Sequence, residues 1–201
     1  MFYRHKNGIG LRKVEHRDLA DLKQLKDESW FGTVNTACLN MTDQERWFQS
    51  ISGSRDSLFF ILVNAERSQS GSEDCLGIYG VTDMNAVNRS CSFTHSLYKK
   101  ARGKGHGLRT LIAGIDMTFE VFNQRRIETW ILENNFAELK ISKTVGFQVE
   151  GCKREAVYKC GEYLDCNLLG LLRSDWEISS RVSALGGLCN ESYKPKCSKT
   201  Q

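Results

Sequence analysis

The stretch LYKKARGKGHGLRTLI, residues 97–112, constrains this chain more than any other. A strand-like segment ends there, glycines recur at positions 103, 105 and 107, and a strongly amphipathic segment begins. Glycines let successive backbone N–H groups converge without side-chain interference, and a helix N-terminus adds a partial positive charge. Together they make an anion site suited to phosphate or pyrophosphate. Lys99, Lys100, Arg102, Lys104 and Arg109 surround it with cations. A P-loop needs Gly-x-x-x-x-Gly-Lys-Ser/Thr, and the chain has no such string. A dinucleotide fingerprint needs Gly-x-Gly-x-x-Gly, and Leu108 stands where its third glycine belongs.

Around this loop the periodicity alternates between strand and helix. Residues 9–14 read as a first strand, and a helix follows from 16 to about 25, with Leu19, Leu22 and Leu25 three apart. A second helix spans 41–51, with Thr42 as its cap, Glu45 three later, and Trp47, Phe48 and Ile51 on its apolar face. Trp30 and Phe31 join Trp47 and Phe48 as core aromatics. The run SLFFILVN, 57–64, fits a strand buried on both faces, and strands follow at 75–84 and 90–97. Leu108, Leu111, Ile112, Ile115, Phe119 and Phe122 form one helical stripe. A short strand at 127–132, a helix over 135–145 stopped by Gly146, and a hairpin of 147–159 with 163–172 complete the order. The order β-α-α-β-β-β-α-β-α-β-β argues an α+β fold with a mixed sheet, and a break in its pairing beside the glycine loop would open a ligand crevice.

A chain of 201 residues suits one substantial domain. The net charge of +4 is too small to declare a nucleic-acid binder, and no aromatic stacking motif accompanies the lysine-arginine run. Eight cysteines lie scattered without a Cys-x-x-Cys pair, so neither a disulfide scaffold nor a zinc site is expected. The N-terminal MFYRHKNGIG lacks the apolar segment of a signal peptide, and no apolar run approaches the ~20 residues of a membrane span. The expected location is cytoplasmic.

The loop matches a family pattern in full: Arg102, Gly105 and Gly107 fill Arg/Gln-x-x-Gly-x-Gly/Ala, the coenzyme A loop of the GNAT superfamily. Downstream, ENNFAELKISKTVGFQVEG resembles the second GNAT signature through Asn135, Gly146, Phe147, Glu150 and Gly151. In VYKCGEYLDCNLLGLL, the string Gly161, Tyr163, Asp165 resembles the closing hairpin of the ribosomal-protein alanine acetyltransferase branch. The segments LRKVEHRDLADLKQL and TDQERWFQSI look like that branch too. The resemblance covers about residues 9–176, which sets a domain at 1–176 and leaves 177–201 as a polar, loosely ordered extension. It implies a mixed, mostly antiparallel seven-stranded sheet with about four helices, and leaves a homodimer open. It also implies acetyl-CoA as cosubstrate, held by Arg102, Gly103, Lys104, Gly105, His106 and Gly107, by backbone near Ser96 and Leu97, and by Asn135.

The implied reaction is attack of a primary amine on the thioester, with a protein N-terminal amine favoured and a small amine or amino sugar close behind. The amine must first be neutral, since α-amino groups titrate near ~8 and lysine near ~10.4, so a base is useful. Relatives commonly place a tyrosine four residues before the Gly of Gly-Phe, and this chain has Ser142 there. The carboxylate common on the strand before the loop would fall near Ser92. His95 is the replacement base, against the competing reading of a core histidine. Ser142 is the candidate acid toward sulfur, and Tyr158, Tyr163 and Glu138 are further candidates. The alternative class is a GNAT-fold module that holds coenzyme A with weak chemistry.

Overall fold

The computed structural model describes residues 1–34, 39–68 and 73–176. One eight-stranded sheet runs in the order β1-β2-β3-β4-β5-β6-β8-β7. Its strands are β1 (Tyr3–Arg4), β2 (Ile9–Lys13), β3 (Leu58–Asn64), β4 (Cys75–Asn85), β5 (Ser90–Leu97), β6 (Arg126–Leu132), β7 (Gln148–Lys159) and β8 (Glu162–Leu172). Neighbours are antiparallel except β5 and β6. The helices are α1 (Leu19–Ser29), α2 (Met41–Ser52), α3 (His106–Glu120) and α4 (Phe136–Thr144).

The sheet has eight strands where seven were expected. The addition, β1, pairs Tyr3 with Leu11 and Arg4 with Gly10. Asn7-Gly8 closes this hairpin, with Gly8 at φ 81, and that dipeptide is the sequence signal for it. A second correction concerns α2, which is capped by Asn40 rather than Thr42. Asn40 Oδ1 accepts from Asp43 N–H at 2.9 Å while the Asp43 carboxylate accepts from Asn40 N–H at 3.0 Å. At the other hairpin, Cys160 and Gly161 both take positive φ, 50 and 93, as a two-residue turn matching the strand twist requires.

Strand β3 explains its unbroken apolar run. Phe60 and Leu62 pack with Ile9, Leu11, Leu111, Ile112 and Ile115 on the α3 face. Ile61 and Val63 point the other way, against Leu22 and Leu25 of α1. The sheet is thus covered on both sides. Among the described residues no helix is long and apolar enough to cross a membrane. Pro195 and the extension 177–201 lie outside the described residues, as do Cys38, Cys189 and Cys197.

The feature that positions the site is the partial pairing of β5 with β6. They meet only over Ser90, Cys91 and Ser92, opposite Arg126, Ile127 and Glu128. Beyond that point the strands part, and a weak contact from Thr129 Oγ1 to Phe93 O at 3.5 Å marks where they do so. The sheet opens there into a cleft whose far end is the glycine loop.

Candidate active site

Two cavities meet in this cleft. The first, about 470 Å³, is lined by Leu97, Arg102, Gly103, Gly105, Gly107, Leu108, Ala137 and Ile141. The second, about 420 Å³, lies between α1, α2, β4, β5 and β6, and includes Lys26, Trp47, Phe59, Asp83, Thr94 and Trp130. His95, Ser96, Asn135 and Glu138 line both, so they form the junction.

The glycine loop ends on Gly105, the N-cap of α3, at φ 76 and without a side-chain cap. That conformation is strained for a residue with a Cβ, which accounts for glycine at 105. Gly107 needs another reason, because a Cβ there would meet only Ile141 Cδ1 at 3.6 Å and Leu97 Cδ1 at 3.8 Å. Protein packing does not demand glycine at 107, and its small size leaves room for a ligand against the α3 N-terminus. The first-turn N–H groups of α3 have no partner inside the helix. A phosphate-bearing cosubstrate therefore fits, with Arg102, Gly103, Gly105 and Gly107 around it.

The cations sort differently from their sequence positions. Arg102 is exposed in the lining, and its Nε donates to Leu97 O at 2.9 Å. Arg109 instead donates to Asn7 O and pairs with Glu66 at 3.6 Å, which ties it to the first hairpin. Lys99 and Lys100 line a separate surface depression with Asp21 and Glu28. Lys104 and His106 lie outside the cavity linings. Burial, with Arg109 nearby, lowers the His106 pKa, so its ring adds no charge to the phosphate site near neutral pH.

Backbone donors follow from strand alternation. Tyr98 N–H bonds Leu76 O on the β4 side at 2.9 Å. In an antiparallel ladder the next N–H points the opposite way, so Leu97 N–H faces the cleft and Ser96 N–H faces β4. Leu97 N–H is therefore left without a strand partner on the β4 side and points into the cleft.

The expected catalytic side chains separate. The His95 ring is 2% exposed. Its Nδ1 faces the Glu138 carboxylate at 3.2 and 3.3 Å, and its Nε2 faces Thr110 Oγ1 at 2.9 Å. Ser142 is fully buried, its hydroxyl has no hydrogen-bond partner, and it lines neither cavity. Tyr158 is 60% exposed and packs against Tyr163, with ring centroids 5.1 Å apart, also outside both cavities. Asn135 caps α4 by accepting from Glu138 N–H at 3.2 Å and donates to Gly32 O at 2.8 Å. That cap sets Glu138 in the first turn of α4, aimed at the junction.

The acetyltransferase (GNAT) domain model matches residues 9–148. The chain belongs to this family and is an acetyl-CoA-dependent N-acetyltransferase. It is 23% identical over 176 residues to the spermidine N(1)-acetyltransferase of Vibrio cholerae, covering 84% of this chain and 95% of that one. It is also 19% identical over 171 residues to the uncharacterized N-acetyltransferase YokL of Bacillus subtilis, covering 85% and 93%. The fold superposes on spermidine N-acetyltransferase from Vibrio cholerae in complex with CoA and spermine, with a TM-score of 0.77 at 21% identity, covering 85% of this chain and 99% of that one.

The relatives with a named substrate are spermidine acetyltransferases and do not point specifically to the ribosomal-protein alanine branch that the hairpin string resembles. Its residues build the hairpin instead. Gly161 turns it, and Asp165 accepts at 2.8 Å from the N–H of Glu155, which sits at φ 52 where the β7–β8 register shifts.

Proposed function

We propose that this enzyme acetylates a terminal primary amine of a small polycation of the polyamine class. The observation that carries the reading is a carboxylate at each end of the second cavity: Glu138 at the junction and exposed Asp83 at the mouth. On β4, Tyr79 stands opposite His95, and Asp83 lies four residues further on. At the strand rise this separates the two levels by roughly 13 Å, a span for an extended chain with nitrogen at both ends. Trp47, Phe59 and Trp130 line the cavity, and aromatic faces attract ammonium groups while burying methylenes. Lys26 is the opposing charge, resting 4.4 Å over the Trp47 ring. Burial lowers its pKa. The spermidine acetyltransferases among the relatives support the same class.

In this reading acetyl-CoA supplies a thioester open to a neutral amine, Leu97 N–H donates to the acyl oxygen, and residues 102–107 with the α3 N-terminus hold the pyrophosphate. Thiol release measured with spermidine, spermine, putrescine, simple monoamines and peptides with free N-termini tests it. Polyamines should give the highest kcat/KM. Asp83→Asn should raise KM for spermidine about two- to fivefold, the range of an exposed ion pair, and leave a short monoamine unchanged. Faster acetylation of peptides than of every polyamine would overturn the reading. Absence of thiol release with any amine would favour a module that only holds coenzyme A.

A further inference from the structure

We infer that Glu138, and not His95, takes the proton from the acceptor amine, with His95 acting as its positioning residue. The inference rests on the junction being the acetyl-transfer site and holds for any primary amine.

Both ring nitrogens of His95 are occupied, which leaves neither to meet a substrate. Thr110 Oγ1 lies 2.8 Å from His106 O and 3.0 Å from Gly107 O, so its single proton has a backbone acceptor inside α3. The Thr110 oxygen then accepts from His95 Nε2–H. If the threonine proton turns to Nε2 instead, the ring proton moves to Nδ1. In that second arrangement the neutral ring donates Nδ1–H to the Glu138 carboxylate, which stays free to take a proton, and this is the arrangement the base role requires. The ring thus anchors the carboxylate from behind. His95 and Glu138 both line the two cavities, but the Glu138 side chain is 17% exposed against 2% for His95, so the carboxylate is the more open of the two to the cleft. Family members commonly carry this carboxylate on the strand before the loop; here it arrives from α4, and the strand supplies the histidine that holds it. Among the described residues, the charged side chains lining the second cavity are Glu138 from α4, Asp83 from β4 and Lys26 from α1, with the titratable His95 from β5.

The protons balance. An ammonium acceptor gives one N–H proton to a Glu138 oxygen, and the freed lone pair bonds the acyl carbon. The carbon–sulfur bond breaks with its electrons on sulfur. The second proton, lost from nitrogen as the amide forms, ends on that sulfur. Glu138 then returns its proton to solvent.

Glu138→Gln and His95→Gln separate the roles on whichever amine turns over fastest. Glu138→Gln should lower kcat about 10²-fold near neutral pH, the lower range of general-base catalysis, with coenzyme A affinity by calorimetry unchanged within twofold. That deficit should shrink as pH rises and the free amine is already neutral. His95→Gln should cost about tenfold or less, since only placement is lost. A larger loss in His95→Gln than in Glu138→Gln, or a Glu138→Gln deficit independent of pH, would overturn the assignment. Independently of turnover, ring-nitrogen NMR of the unliganded protein should show the His95 signals moving in Glu138→Gln; unmoved signals would also overturn it. A preference for peptide over polyamine would alter only the acceptor proposal.

Discussion

Ser142 and His95 are both polar residues near the cleft, yet they have opposite prospects for chemistry. His95 lines both cavities but is bonded at each nitrogen, to Glu138 on one side and Thr110 on the other. Ser142 Oγ is buried on the core side of α4 without a partner. A buried hydroxyl with no hydrogen bond carries its desolvation cost unrelieved. Ser142→Ala should therefore keep turnover within twofold and raise stability by up to about 1 kcal/mol in urea unfolding. A tenfold fall in kcat at unchanged stability would bring the hydroxyl back to the reacting sulfur. Position four before Gly146 is readable in the sequence; the direction in which the helix turns that side chain is not. Two apolar neighbours, Leu139 and Ile141, pack α4 on the core and set its rotation.

Between elements, the firmest polar connection at the site's edge joins β2 to the start of α1. Arg12 donates to both oxygens of Asp18 at 2.7 Å and from Nε to Glu73 at 2.8 Å. Asp18 also accepts from Glu15 N–H at 2.8 Å. Burial alone would raise the Asp18 carboxyl; the bonds from Arg12 and Glu15 outweigh it and leave its pKa below the ordinary value. A carboxyl lowered in the folded state stabilises above its unfolded pKa, near ~3.9, and that stability disappears as pH falls through the folded value. Asp18→Asn should cost about 2–3 kcal/mol at pH 7, less than the ~3–5 of a fully orphaned buried charge because Glu73 still faces Arg12. The gap between variant and wild type should stay constant down to about pH 4 and close below it. A gap unchanged at pH 3 would refute the linkage. The sequence shows Arg12 and Asp18 six apart, a spacing that fits no regular pairing; the turn at residues 13–18 brings them together.

At the scale of the whole molecule, both ends of the described chain fasten to α3. His5 Nε2 lies 2.8 Å from Asp116 Oδ2, and Trp176 Nε1 donates to Asp116 Oδ1 at 2.7 Å. Trp176 also packs near Phe119 and is 8% exposed. Trp176→Ala should cost about 3–5 kcal/mol, and Trp176→Phe clearly less because it retains most of the ring. Urea unfolding checks this, and coenzyme A affinity should hold in both variants. An unaffected midpoint in Trp176→Ala would mean that the indole is not part of the core.

The sequence by itself determined the order of every strand and α-helix after β1, because core periods of 2 and 3.6 are written in residues such as those of SLFFILVN and the α3 stripe. It determined the glycine loop at the start of α3, since Gly105 and the amphipathic run after it are local features. It determined the family through strings that are contiguous in the chain. Only the tertiary structure decided where β5 leaves β6, because that depends on strands 36 positions apart meeting for three pairs and then diverging. Only it turned Arg109 away from the loop and toward Asn7, and placed Glu138 against His95, 43 residues earlier. Backbone conformation follows from short-range sterics and hydrogen bonding, which neighbours in sequence carry. A reacting constellation is a set of side-chain directions from separate elements, and packing alone fixes those.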